Sequence, residues 1–175
     1  MATHKLIIAG FGGQGVMLIG QMIAYAGMLE GKEVTWMPSY GPEMRGGTAN
    51  CTVIVSDKKI SSPIVTEATA VVVMNQPSLV KFEKMVAPRG QLFINTSLIK
   101  EKPSREDVEI LNVDANKIAA DLHSDKVSNM VILGAIVNKT NIVKLESIKK
   151  VMEKFFTGKK SELLSINKKA LTSWQ

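Results

Sequence analysis

Cysteine and histidine are nearly missing from this chain. Its 175 residues include one cysteine, Cys51, and two histidines, His4 and His123. One thiol cannot close an internal disulfide. Nor can it hold an iron–sulfur cluster, which usually takes four cysteine ligands. The two histidines lie far apart without metal-ligand spacing, so any redox metal centre belongs to another chain. Aromatic residues are scarce at 5%, and none interleave with lysines to make a basic stacking patch for nucleic acid. The longest apolar run near the N-terminus, VMLIGQMIAYAGML (16–29), falls short of the ~20 residues that cross a bilayer and is interrupted by Gln21. No basic segment followed by an apolar core stands at residue 1, so no secretory signal is expected. The expectation is a cytoplasmic protein with no membrane partner. No Ser/His/Asp set, Cys/His pair, paired carboxylates or metal cluster offers catalysis by this chain alone.

What is present is ordinary for a soluble globular protein: 45% hydrophobic and 22% charged residues. The length suits one domain, 1–175, with a full core, and no repeat, low-complexity tract or linker divides it. The charge is unevenly placed. Residues 1–138 carry 13 basic and 13 acidic groups, whereas 139–175 carry nine and three, which is the whole net +6. A basic helical tail over 155–175 is expected. Such a segment is a solvated helix face, a contact for an acidic protein surface, or a nucleic-acid contact.

Short β-branched apolar runs read as buried strands: KLIIAG (5–10), EVTWM (33–37), NCTVIVS (50–56), AVVVM (70–74), QLFIN (91–95) and VEILNV (108–113). Asp57-Lys-Lys resembles a hairpin turn between NCTVIVS and a segment from Ile60, and Pro88-Arg-Gly reads as a turn before QLFIN. Residues 15–30 are apolar nearly all round, predicting a helix packed deeply on a sheet. Pro77 opens a helix over PSLVKFEKMV. Further helices are expected over Ala115–Leu122, Asn129–Asn138, Leu145–Phe155 and, more weakly, 160–171. The alternation predicts an α/β fold: three layers, Rossmann-like, with a mostly parallel sheet, an antiparallel hairpin and C-terminal helices. Cys51 then reads as a small buried hydrophobe in a strand.

Gly10-Phe-Gly12-Gly13-Gln14-Gly15 fits G-x-G-x-x-G directly after a strand and opening a helix. Glycines permit positive φ and close backbone approach, and helix N-terminal N–H groups attract an anion. A dinucleotide site also needs an acidic residue at the end of the second strand to hold the ribose. It is missing: Glu30 and Glu33 precede EVTWM, and Pro38-Ser39-Tyr40 follow it. A tight turn, another phosphate-bearing ligand and a partner's backbone remain as readings of the loop. In open α/β sheets ligands gather at the C-terminal ends of the strands. Those ends carry Gly10–Gly15, Ser39–Gly47, Asn75-Gln76 and Asn95-Thr96-Ser97. In PSYGPEMRGGT (38–48), Arg45 offers a planar fork for carboxylate or phosphate, Glu43 is either its ion-pair partner or an anchor, and Gly46-Gly47 returns the chain tightly to the sheet.

On these residues a resemblance appears. GFGGQGV (10–16), PSYGPEMRGGTANCTV (38–53), MNQPSL (74–79), INTSLI (94–99) and NMVILGA (129–135), in that order, resemble the gamma subunit of 2-oxoacid:ferredoxin oxidoreductases, and most resemble that of the 2-oxoglutarate enzymes. The resemblance implies a subunit that performs no catalysis alone. It belongs to an assembly of anaerobic metabolism that converts 2-oxoglutarate to succinyl-coenzyme A, releasing CO2 and reducing ferredoxin. Pyruvate, branched-chain and indolepyruvate enzymes are the alternatives. It implies thiamine diphosphate, Mg2+ and [4Fe-4S] clusters on other subunits, coenzyme A as co-substrate, and alpha, beta and ferredoxin-like delta subunits as partners, with ferredoxin as acceptor. Isolated, the chain could form a homo-oligomer. By motif position the expected contacts to coenzyme A or a partner are Gly10, Gly12, Gly13, Gln14, Gly15, Tyr40, Glu43, Arg45, Gly46, Gly47, Asn75 and Gln76. Readings of another class are a stand-alone nucleotide- or coenzyme A-binding protein, and a nucleic-acid-associated protein acting through 139–175.

Overall fold

The computed structural model describes residues 2–39 and 48–174. Its centre is a six-stranded sheet in the order β2-β3-β1-β4-β5-β6. The strands are β1 (Thr3–Phe11), β2 (Glu33–Ser39), β3 (Thr48–Ser56), β4 (Ala68–Val73), β5 (Val86–Asn95) and β6 (Glu109–Val113). The β1–β4, β4–β5 and β5–β6 pairings are parallel, and β3 lies antiparallel between β1 and β2. The helices are α1 (Val16–Leu29), α2 (Gln76–Phe82), α3 (Ala115–Asp121), α4 (Ser128–Thr140), α5 (Leu145–Phe155) and α6 (Leu164–Leu171).

Period-two alternation explains why the strands read as unbroken apolar runs. In β1, Leu6 and Ile8 enter a core shared with α1, α3, α4, α5 and α6, whereas Ile7 and Ala9 enter a second core with Leu79 and Phe82 of α2. The sheet is thus covered on both faces, in the three layers expected. On the larger face α4 is buried continuously from Asn129 to Val137. The C-terminal segment is packed: a 3-10 turn over Gly158–Leu163 leads into α6, where Ala170 and Leu171 are buried.

Three expectations need correction. No hairpin forms at Asp57-Lys58-Lys59. The antiparallel component comes from β3 pairing with β2 and β1, and Asp57 instead accepts the Ala2 N–H at 2.7 Å. Pro88-Arg89-Gly90 lies within β5, as an irregularity where the register to β4 shifts, and Arg89 takes a φ of 62°. The helix at Pro77 starts at Gln76 and ends at Phe82, giving way to a 3-10 turn (Glu83–Met85) before β5. As expected, α1 packs deeply on the sheet through Ile19, Met22, Ile23 and Ala26, while Tyr25, Met28 and Leu29 stand in solvent.

Candidate functional site

The site is built at the C-terminal ends of the parallel strands. β1 ends at Phe11, and the chain turns through Gly12, Gly13 and Gln14 into Gly15, which precedes α1 in the left-handed conformation (φ 76°). Gly13 also has positive φ, at 95°. These are backbone states that side-chain-bearing residues rarely adopt. α1 has no side-chain cap and no acidic residue in its first turn. Its first N–H groups therefore lack intrahelical acceptors and carry the positive end of the helix dipole.

Gln14 fixes the loop. Its Oε1 accepts the Phe11 N–H at 2.6 Å and its Nε2 donates to the Met74 carbonyl at 3.3 Å, tying the loop to the end of β4. The side chain lies so close over Gly10 that a Cβ there would stand 2.6 Å from Oε1. Gly10 therefore lets Gln14 pack closely here. A Cβ at Gly15 would overlap the side-chain amide of Asn129, the second residue of α4. That amide is 8% exposed, and its Oδ1 has no hydrogen-bond partner among the described residues.

The neighbouring strand ends add more amides and hydroxyls. Asn75 caps α2, its Oδ1 accepting the Ser78 N–H at 2.9 Å, while its Nδ2 and the Ser78 hydroxyl have no partner among the described residues. Asn95 Nδ2 donates to Asn116 at 2.9 Å, and its Oδ1 has no partner among the described residues. Ser97 bonds Asp114 and accepts the Asn116 N–H at 3.0 Å, knitting the β5 and β6 ends. Buried polar atoms normally find partners; at this end of the sheet four, on Asn75, Ser78, Asn95 and Asn129, have none among the described residues.

Of the expected site residues, the structure joins Gly10, Gly12, Gly13, Gln14 and Gly15 to Asn75 through Met74. Gln76 turns away and donates to Glu101 at 2.9 Å. Tyr40, Glu43, Arg45, Gly46 and Gly47 lie outside the described residues. The strands that flank them do reach the same edge: Thr48 stands opposite Phe11, and Ser39 opposite Asn50. Asn129 went unrecognised as a site residue. The available signal was a polar amide opening an otherwise apolar helix.

Cys51 is no nucleophile. Its Sγ is buried under α1, 3.6 Å from the Val16 carbonyl, and burial pushes the thiol pKa up to about 12. Among the described residues no group of three or more His, Cys, Asp or Glu could hold a metal ion, and no helix is long and apolar enough to cross a membrane. A cavity of about 890 Å³ opens elsewhere, lined by Glu30, Lys32, Asn141, Lys144 and Trp174. Its Glu30 is already engaged, accepting the Lys144 N–H at 2.6 Å and pairing with Lys32 at 3.2 Å. The Asn129 amide against Gly15 and the uncapped start of α1 favour the glycine loop over this cavity.

The described residues thus present an α/β sheet with a glycine loop and a set of amides at the C-terminal ends of its parallel strands. The sequence matches the pyruvate ferredoxin/flavodoxin oxidoreductase family over residues 5–173, and the chain belongs to that family. It is 36% identical over 169 residues to ketoisovalerate oxidoreductase subunit VorA of Methanothermobacter marburgensis, covering 95% of this chain but only 35% of that protein. Against 2-oxoglutarate synthase subunit KorC of Methanocaldococcus jannaschii identity is 33% over 151 residues, covering 85% of this chain and 81% of the relative. Among solved structures, the gamma subunit of a keto/oxoacid ferredoxin oxidoreductase from Geobacter sulfurreducens superposes with a TM-score of 0.85 at 26% identity, covering 99% and 94% of the two chains. The chain is thus of the gamma-subunit type, and it spans about a third of the ketoisovalerate relative's length.

Proposed function

We propose that this chain is the gamma subunit of a cytoplasmic 2-oxoacid:ferredoxin oxidoreductase acting on 2-oxoglutarate, and that its glycine loop holds a phosphate of coenzyme A. Alpha and beta subunits with thiamine diphosphate, Mg2+ and iron–sulfur clusters would supply decarboxylation and electron transfer, a ferredoxin-like delta subunit or ferredoxin receiving the electrons. This chain's part is binding. The backbone N–H groups of Gly12, Gly13 and the first turn of α1 face the anion. Positive φ at Gly13 and Gly15 aims them, and Gln14 keeps the loop in that shape. Arg45 and Tyr40, in the segment between Ser39 and Thr48, are proposed to complete the contact from the adjoining strand ends, with Glu43 orienting Arg45.

The observation that carries this reading is the unpaired, buried Asn129 amide lying against Gly15 at the uncapped start of α1. It provides a polar wall beside an anion-favouring helix end, with no ribose-binding carboxylate among the described residues at the end of β2. The higher identity to the ketoisovalerate subunit favours a second reading, in which the substrate is a branched-chain 2-oxoacid.

The test is to purify the chain anaerobically with its co-expressed partner subunits. Ferredoxin reduction is then assayed with 2-oxoglutarate, pyruvate and ketoisovalerate. The fastest substrate decides between the two readings, and failure to join any complex rejects both. In the same preparation Gly12→Val should raise the KM for coenzyme A while leaving that for the 2-oxoacid unchanged. An unmoved coenzyme A KM removes the loop from the site. Tight coenzyme A binding by the isolated chain would instead favour a stand-alone binding protein.

A further inference from the structure

α1 contains no charged residue in 14 positions. A helix laid on a sheet ordinarily turns charged side chains outward. Here the outward stripe runs Leu18, Gln21, Tyr25, Met28 and Leu29, at helical spacing. Tyr25, Met28 and Leu29 are 51%, 62% and 49% exposed. The stripe borders a groove of about 460 Å³ between α1 and α5, lined by Tyr25, Met28, Leu29, Val151, Lys154 and Phe155. Its floor is ordered: the rings of Tyr25 and Phe155 meet edge to face, 5.5 Å between centroids at 73°. Tyr25, Met28 and Leu29 thus leave apolar surface exposed along this groove.

The charge around the groove selects the occupant. Lys154 forms part of its wall and Lys150 stands one turn earlier on α5. Both are exposed, and neither pairs with a carboxylate among the described residues. The nearby carboxylates are engaged: Glu146 with Lys149 and Glu153 with Lys168, each at 2.7 Å, and Glu30 with Lys32 at 3.2 Å. The unspent charge is positive and sits beside apolar surface. A second copy docked by two-fold symmetry would bring these lysines against their own kind. A nucleic acid would engage the lysines but leave Tyr25, Met28 and Leu29 in water.

We propose that this groove seats a carboxylate-rich amphipathic segment of another subunit of the assembly, with an apolar side chain packing over the paired rings of Tyr25 and Phe155 and carboxylates meeting Lys150 and Lys154. The proposal rests on the reading of the chain as a subunit. It assigns the uneven charge of residues 139–175 to a protein contact.

The test places the photo-crosslinker p-benzoylphenylalanine at position 28 in the co-expressed complex and maps the product by mass spectrometry. The expected product joins position 28 to a segment of another subunit in which Asp and Glu outnumber Lys and Arg. An intact complex giving no crosslink overturns the proposal alone, as does a crosslink to a second copy or to a basic segment. A chain that joins no complex overturns the subunit reading as well. The double variant Lys150→Glu, Lys154→Glu changes only exposed side chains and should keep its circular dichroism spectrum. It is expected to bind the remaining subunits about tenfold more weakly at low salt, and unchanged affinity would refute the charge assignment.

Discussion

The side-chain carbonyl of Gln14 accepts the backbone N–H of Phe11 at 2.6 Å, so the glycine loop is braced by one of its own residues. The same side chain donates to Met74 at 3.3 Å. Gln14→Ala removes both bonds and is expected to lower stability by about 1–2 kcal/mol, roughly one net hydrogen bond each. Gln14→Glu does not restore the Met74 contact, because two oxygens then face each other. Urea denaturation of the two variants checks this, and a Gln14→Glu protein as stable as the parent would contradict it.

Gly134 of α4 touches the backbone of α6 so closely that a Cβ there would overlap the Leu171 carbonyl. Backbone cannot swing aside as a side-chain tip can. Gly134→Ala should cost about 1–3 kcal/mol through overpacking. It should also loosen α6 and the adjoining Trp174, whose Nε1 donates to the Asn112 carbonyl at 3.3 Å. Faster amide exchange confined to 164–174 would confirm the mechanism. An equal loss of protection throughout the chain would argue against it.

Burial keeps Cys51 protonated, with a pKa of about 12. Iodoacetamide at pH 8 should therefore leave the native protein unmodified over hours and label it once in denaturant, since the thiolate is the reactive form. Rapid alkylation of the folded chain would show that α1 lifts from β3.

Acid should weaken the fold in two stages. Burial, and then the charge of Lys32, hold the His4 pKa below 6.5, outweighing Asp57. Between that lowered value and 6.5 the unfolded chain binds more protons, so stability falls as pH drops from neutrality. Asp57, bonded by the Ala2 N–H, and Asp107, bonded by Arg105, sit below 3.8. Their contribution is present above 3.8 and is lost as pH falls through their folded values. The first stage should vanish in His4→Gln and the second persist. Melting midpoints between pH 7 and 3 check this, and a His4→Gln protein that tracks the parent from pH 7 to 5 would assign the first stage elsewhere.

The buried strands were legible because both faces of β1, β4 and β5 are covered, which writes unbroken Val, Ile and Leu into the sequence. The partners of β3 were not. Alternation announces that Ala49, Cys51, Val53 and Val55 share one buried face, yet says nothing about which strand lies alongside, and β3's neighbours are made earlier in the chain. A local turn signal at Asp57 competed and was misleading. The glycine loop was legible from spacing. Asn129 was not, since its meeting with Gly15 joins residues 114 positions apart through the packing of α4 against α1. The uncapped apolar stripe on α1 was visible in the sequence, but whether solvent, core or a partner covers it is a tertiary fact.

The position of β1 has a consequence for biosynthesis. It is a central strand, flanked by β3 on one side and β4 on the other. Both flanking strands leave the ribosome after it, β3 ending at Ser56 and β4 at Val73. While translation crosses that interval, the apolar stretch Leu6–Ala9 is outside without a completed sheet to enter. Nascent chains in this state depend on fast folding or on a chaperone to escape aggregation.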